Sequence, residues 1–132
     1  MTAPFRVLVV DDDAEERLLL VEGLRENGGF LVEEATSGEA AIAELSDNDY
    51  AVVVSDLEMP PGLNGLAVWR AVQRLPRPPC FILVSGHPDL EATARRAGIR
   101  WCLLKPFNLE DLLGIFRAVR TSSTPGLAPA PL

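Results

Sequence analysis

Five short apolar runs punctuate the chain, and a stretch with helical spacing follows each one. "FRVLVV" (5–10) is rich in β-branched residues and stops at Asp11. "DAEERLLLVEGLREN" (13–27) then sets Leu20, Val21 and Leu24 at helical spacing. Asp13 and Glu16 form a capping-box pair at its start, and Gly28-Gly29 closes it. "FLVEEA" (30–35) predicts a second strand, and Thr36 with Glu39 predicts a cap for the helical "EAAIAEL". "YAVVVS" (50–55) is the third strand. Asn64 caps "GLAVWRAVQRL", which the prolines at 76, 78 and 79 end. "CFILV" (80–84) is the fourth, with Pro88 suited to the first turn of a helix running to about Ala97. "RWCLL" (100–104) is the fifth. Asn108 and Asp111 cap a last helix whose apolar face is Leu112, Leu113, Phe116 and Val119.

Strand–helix alternation of this kind predicts an α/β fold, a doubly wound five-stranded parallel sheet of (βα)5 form. The first, third and fourth strands are nearly continuous apolar runs, as strands covered on both faces should be. The second carries Glu33 and Glu34 and suits an edge. Right-handed crossovers make all five strands point the same way. Every residue that ends a strand therefore lies on one rim, where open sheets of this type bind ligands.

Chemistry gathers on that rim. The first strand ends in Asp11, Asp12 and Asp13, the third in Ser55-Asp56, the fourth in Ser85-Gly86 and the fifth in Lys105-Pro106. Taken singly, each is ordinary helix-start or turn chemistry. Together, crowded carboxylates repel unless a counterion joins them. A hard divalent cation removes that conflict, and Mg²⁺ suits one or two carboxylates completed by phosphate and water. Ser85 and Lys105 supply donors to phosphoryl oxygens, and Asp56 is then the acceptor that forms an acyl phosphate.

Composition bounds the partners. A net charge of −7 argues against direct nucleic-acid binding, which needs a basic patch. No apolar run approaches the roughly 20 residues of a membrane span, and the N-terminus lacks a signal-peptide build, so a cytoplasmic location is expected. Cys80 and Cys102 lie in apolar runs and read as reduced core thiols.

In "VVDDD", "VVVSDLEMP…NG", "LVSG" and "LLKPF", in that order and at strand ends, the chain resembles the receiver domains of two-component response regulators over roughly residues 4–120. The resemblance implies a flavodoxin-like sheet of order 2-1-3-4-5. It implies that Asp56 accepts a phosphoryl group from the phosphohistidine of a histidine kinase or a histidine phosphotransfer protein. Asp12, Asp56 and the backbone carbonyl of Glu58 would ligate Mg²⁺, with Asp11 acting through water. Ser85 would be the switch hydroxyl, Lys105 the phosphoryl partner, and the peptide before Pro106 cis. His87 and Glu58 would face each other at the mouth and influence hydrolysis of the acyl phosphate. Partners would meet the fourth helix, fifth strand and fifth helix, as a homodimer or an effector complex. Such a module is not an enzyme beyond its own phosphorylation and dephosphorylation.

Two departures stand out. Cys102 occupies the position where receivers usually carry Tyr or Phe, three residues before the lysine. The span from Asp56 to Gly65 is one residue longer than the commonest pattern. The competing expectation is a haloacid-dehalogenase-type phosphatase with Asp11 as nucleophile and Asp13 beside it. That class has no need of Asp56 or of the Met-Pro turn. A flexible, Pro/Ser/Thr-rich tail is expected over 121–132 after a receiver domain at 1–120. The chain is expected to be a single-domain regulator or a receiver excised from a hybrid kinase.

Overall fold

The apolar runs form strands in the computed structural model, which describes residues 5–122. Strands β1 (Phe5–Val10), β2 (Phe30–Ala35), β3 (Val52–Asp56), β4 (Cys80–Ser85) and β5 (Trp101–Leu104) pair in parallel in the order 2-1-3-4-5. Helices α1 (Ala14–Asn27), α2 (Gly38–Asp47), α3 (Gly65–Gln73), α4 (Leu90–Ala97) and α5 (Leu109–Ser122) follow the strands in turn. Helix α5 runs two residues past the expected boundary at 120, and the rest of the expected tail lies outside the described residues.

A strand turns alternate side chains to opposite faces, and this period divides the core into two layers. Val7, Val9, Val52, Val54, Ile82 and Val84 pack beneath Val21 and Leu24 of α1 and Leu112 and Phe116 of α5. Leu8, Val10, Val53, Phe81 and Leu83 pack beneath α2, α3 and α4 through Ala41, Leu45, Val68, Val72, Leu90 and Ala94. The rings of Phe5, Phe30 and Phe116 close one end of the first layer, with centroids 5.4–5.8 Å apart. Trp69 closes part of the second. Its ring lies 5.3 Å from that of Phe81, and its indole N–H donates to the Ala97 carbonyl at 2.8 Å, tying α3 to the end of α4. The two cysteines are free and pack into different layers, Cys80 with the first and Cys102 with the second.

Sheet register sets the rim. Val10 lies opposite Ala35 and Ser55, Asp56 opposite Val84, and Ser85 opposite Leu104. Three ladder-like bonds continue past the strand ends: Asp11 N–H to Ala35 O (3.1 Å), Leu57 N–H to Val84 O (2.8 Å) and Lys105 N–H to Ser85 O (2.8 Å). The backbones that carry the acidic and basic residues are thus held by the sheet itself rather than left in free loops.

Several helix starts differ from expectation. The cap of α2 is Ser37, not Thr36, and its hydroxyl accepts from Ala40 N–H. Glu39 does not reach back to that cap. Its carboxylate accepts from Leu63 N–H, both oxygens at 3.3 Å, because the β3–α3 loop folds over the start of α2. Pro88 precedes α4 instead of lying in its first turn, since a turn from Leu90 N–H to His87 O comes first. Asp13 does cap α1, and Asn108 with Asp111 forms the reciprocal pair at α5.

Tyr50 lies just before β3 and is 6% exposed. Its hydroxyl donates to Glu33 of β2 and Glu44 of α2, at 2.5 and 2.6 Å, while Arg6 pairs with Glu33 at 2.6 Å. A single O–H shared by two carboxylates keeps them from facing each other bare. Tyr50→Phe should therefore destabilise the protein by about 1–2 kcal/mol at pH 7, measured by urea unfolding. The Tyr50 hydrogen bond and the Arg6 pair lower the Glu33 pKa from 4.5. A carboxylate lowered on folding contributes stability above its unfolded pKa and loses it as pH falls. The difference between the two proteins should shrink as the pH drops below 4.5.

Candidate functional site

The cluster on the rim is built from three strand ends and one helix start. Asp11 follows β1 directly, and its side-chain oxygen accepts from the Asp13 N–H at 2.9 Å. That bond orients the carboxylate while Asp13 Oδ1 caps α1 through the Glu16 N–H. Asp56 ends β3, with a side chain 12% exposed. Oxygen atoms of Asp11, Asp12 and Asp56 lie within 4.8 Å of one another, a set able to hold a metal ion. Lys105, at the end of β5, reaches across the sheet. Its ammonium lies 3.2 Å from Asp56 Oδ1, 3.8 Å from Asp11 Oδ2 and 3.0 Å from Glu16 Oε2. The peptides Lys105–Pro106 and Pro60–Pro61 are cis.

Burial dominates the carboxylates' acidity. It pushes the Asp56 pKa up to about 6, against the pull of Lys105 and with the push of Asp11. Asp11 is raised for the same reason, although the Asp13 N–H and Lys105 pull the other way. For Lys105, burial works to lower the pKa. The Glu16 hydrogen bond and the Asp56 and Asp11 charges outweigh it, and the ammonium is held above its ordinary range. A cleft that raises carboxylates and holds a cation firmly charged is suited to a multiply charged ligand of mixed contacts.

Ser85 also stands where expected, fully buried at the end of β4. Its hydroxyl donates to Glu58 Oε1 at 2.9 Å and accepts from the His87 N–H at 3.0 Å. Glu58, expected to offer its backbone carbonyl and to face His87, holds the Ser85 hydroxyl through its side chain. Glu58 and His87 together line a depression of about 550 Å³ with Met59, Pro60 and Pro61. On the other side of Asp56 a cavity of about 720 Å³ runs between α1 and the start of α5, walled mainly by Leu19, Leu20, Phe107 and Leu109.

The segment after Asp56 is shaped by close approaches. The Gly65 N–H donates to Leu57 O at 2.9 Å, and a Cβ at Gly65 would lie 2.5 Å from the Asp56 carbonyl oxygen. Asn64 Oδ1 then accepts from Leu66 and Ala67 N–H and starts α3. The rest of the segment folds against α2, where a Cβ at Gly62 would meet the Glu39 carboxylate at 2.6 Å. The Glu16–Lys105 contact and the Glu58–Ser85 hydrogen bond are not foreseen from the sequence. Glu16 fits half of a capping box, and only the reach of the Lys105 side chain across the rim from the end of β5 brings the two together.

A doubly wound sheet with an acidic, lysine-bearing cleft where the strand order reverses defines a class of α/β ligand-binding modules. The response regulator receiver domain family model matches residues 7–117, and the chain belongs to that family of two-component systems. It is 34% identical over 115 residues to the C4-dicarboxylate transport transcriptional regulatory protein DctD of Rhizobium meliloti. That match covers 86% of this chain but only 25% of DctD. It is 30% identical to the probable chemotaxis protein CheY of Rhizobium etli, covering 86% of this chain and 91% of that protein. Among solved structures, the response regulator TrrA of Thermotoga maritima, in complex with Mg²⁺-BeF, superposes with a TM-score of 0.77. It shares 29% identity, with 86% of this chain and 97% of that one covered.

The phosphatase expectation is not supported. Asp13, its second acidic residue, is spent on capping α1, and Asp11 is held by the Asp13 N–H. No helix among the described residues is long and apolar enough to cross a membrane.

Proposed function

We propose that this receiver accepts a phosphoryl group on Asp56 from a phosphohistidine and changes its affinity for a partner in response. The observation that carries this reading is the approach of the Asp11, Asp12 and Asp56 oxygens to within 4.8 Å, with the sole lysine of the chain 3.2 Å from Asp56. An Asp56 Oδ atom attacks phosphorus, the O–P bond forms, and the P–N bond breaks with its electron pair leaving on the imidazole. The product is an acyl phosphate. The all-oxygen donor set fits Mg²⁺, which Asp12, Asp56 and the Glu58 carbonyl would hold, with Asp11 behind them. Bound there, Mg²⁺ supplies positive charge to the donor's oxygens. Lys105 turns from Asp56 Oδ1 to a phosphoryl oxygen. Ser85 gives up Glu58 to donate to another.

The chain catalyses only its own phosphorylation and hydrolysis. His87 and Glu58, at the mouth of the same depression, set the hydrolysis rate. The phosphodonor is a histidine kinase or histidine phosphotransfer protein in the cytoplasm. The effector, or a second copy, meets α4, β5 and α5, where Leu104 is 52% exposed. With Cys102 in place of an aromatic ring, the readout runs through Ser85, Glu58 and the loop before α4. The described domain makes no direct contact with nucleic acid.

Intact mass spectrometry tests the phosphoacceptor role. With Mg²⁺ and acetyl phosphate the protein should gain one phosphoryl group that is labile to base, and Asp56→Asn should gain none. Labelling of Asp56→Asn that is lost in Asp11→Asn would contradict it.

A further inference from the structure

Glu16 has no place in the scheme above, yet it makes the shortest contact to Lys105. Its Oε2 lies 3.0 Å from Nζ, against 3.2 Å for Asp56 and 3.8 Å for Asp11. The sequence casts Glu16 as the returning half of a capping box, but its carboxylate leaves that duty for the ammonium. A full charge outcompetes a backbone N–H as its partner. The first turn of α1 that carries Glu16 is itself pinned. Asp13 caps it, the Arg17 guanidinium donates to the Asp11 carbonyl at 2.8 Å, and Arg17 pairs with Glu34 at 3.0 Å. Glu16 therefore projects from a fixed base, while its side chain, 51% exposed, can swing into water at little loss.

We propose that Glu16 is a positioning residue that holds Lys105 at the mouth of the unphosphorylated site and surrenders it when a phosphoryl group arrives. The inference rests on Asp56 being the acceptor. Before transfer, three carboxylates share one ammonium. A phosphoryl group on Asp56 brings oxygens that claim Lys105, and a carboxylate left beside them meets only like charge. Glu16 is then driven out toward solvent. Until that happens it opposes the approach of an anionic donor and draws the only lysine in the chain away from Asp56 and Asp11. Glu16 would thus slow phosphorylation through small anionic donors, and its opposition would fade as salt screens the exposed carboxylate.

Because Lys105 is the only lysine, ¹⁵N-lysine labelling gives one side-chain Nζ signal. In the metal-free protein that ammonium should be visible and slow to exchange, and Glu16→Gln, which keeps the side chain's size and capping capacity, should broaden it. With Mg²⁺ and acetyl phosphate, Glu16→Gln should label about three- to tenfold faster than wild type at low salt, converging with it in concentrated salt. An Nζ signal unchanged in Glu16→Gln would overturn the contact. Equal or slower labelling at low salt, the result a purely structural capping role predicts, would overturn the restraint. Failure of the wild type to label on Asp56 would defeat the phosphoacceptor reading instead, and the metal-free signal would still decide the Glu16–Lys105 contact.

Discussion

Asp56→Asn is expected to make the metal-free protein more stable at pH 7, not less. Burial raises the Asp56 pKa from 3.8 to about 6, so the folded protein binds this proton more tightly than the unfolded chain does. A raised acid has the opposite linkage sign to Glu33. Its protonated form favours folding, and stability is lost as pH climbs from about 4 through 6. Two pKa units correspond to roughly 3 kcal/mol, so removing the charge should restore about 1–3 kcal/mol, part of the gain being offset by the weakened pairing with Lys105. Thermal midpoints measured from pH 4 to 8 in a metal chelator should separate as pH rises, with the variant above wild type. Adding Mg²⁺ should then lift the wild type and leave Asp56→Asn nearly unmoved. Curves that stay parallel across the pH range would remove the claim that the charge at Asp56 is held against a folding penalty.

Gly65→Ala is expected to damage the site from beneath. The added Cβ would fall 2.5 Å from the Asp56 carbonyl oxygen and 3.0 Å from Leu57 Cα and Leu83 Cδ1. Two of those three neighbours are backbone, so no rotamer change relieves the contact. Gly65 also donates its N–H to Leu57 O, which fixes the turn that leaves β3. Relief requires α3 to move away or the end of β3 to shift, and a shift of β3 displaces the Asp56 carboxylate from Lys105. A loss of about 2–3 kcal/mol is expected on urea unfolding, at the upper end of what overpacking costs. Phosphorylation by acetyl phosphate should fall with it, even under conditions where the variant is fully folded. Wild-type stability in Gly65→Ala would show that the turn is looser than the contact distances imply.

The sheet and its rim were legible because strand ends are announced chemically. Val9-Val10 gives way to Asp11, Val54 to Ser55-Asp56, Val84 to Ser85, and Leu104 to Lys105. Once the crossovers share a hand, those residues have to meet. What the sequence could not reveal are contacts decided by tertiary placement. Thr36 and Ser37 are adjacent and chemically alike, and only the path of the chain selects Ser37. Glu39 would sit where a capping box calls for it only with a cap at Thr36, and lies second in α2, whereas Glu16 does occupy the third position of α1. Glu39 is claimed by the β3–α3 loop, which folds over α2, and Glu16 by a lysine 89 residues away. Tyr50 suits the start of β3 by its residue type, but its hydroxyl is drawn to Glu33 and Glu44, and the strand begins at Val52. In each case local propensity was right about residue type and silent about the competitor.

The claim on which the account rests is that Asp56, rather than its acidic neighbours, carries the phosphoryl group. Reduction of the phosphorylated protein with borohydride converts an aspartyl phosphate to homoserine, and peptide sequencing by mass spectrometry reads where that conversion occurred. The account predicts homoserine at position 56 alone, appearing only when Mg²⁺ and the phosphodonor are both present. Homoserine at position 11 or 12, or its absence from a protein that has gained phosphoryl mass, would contradict it.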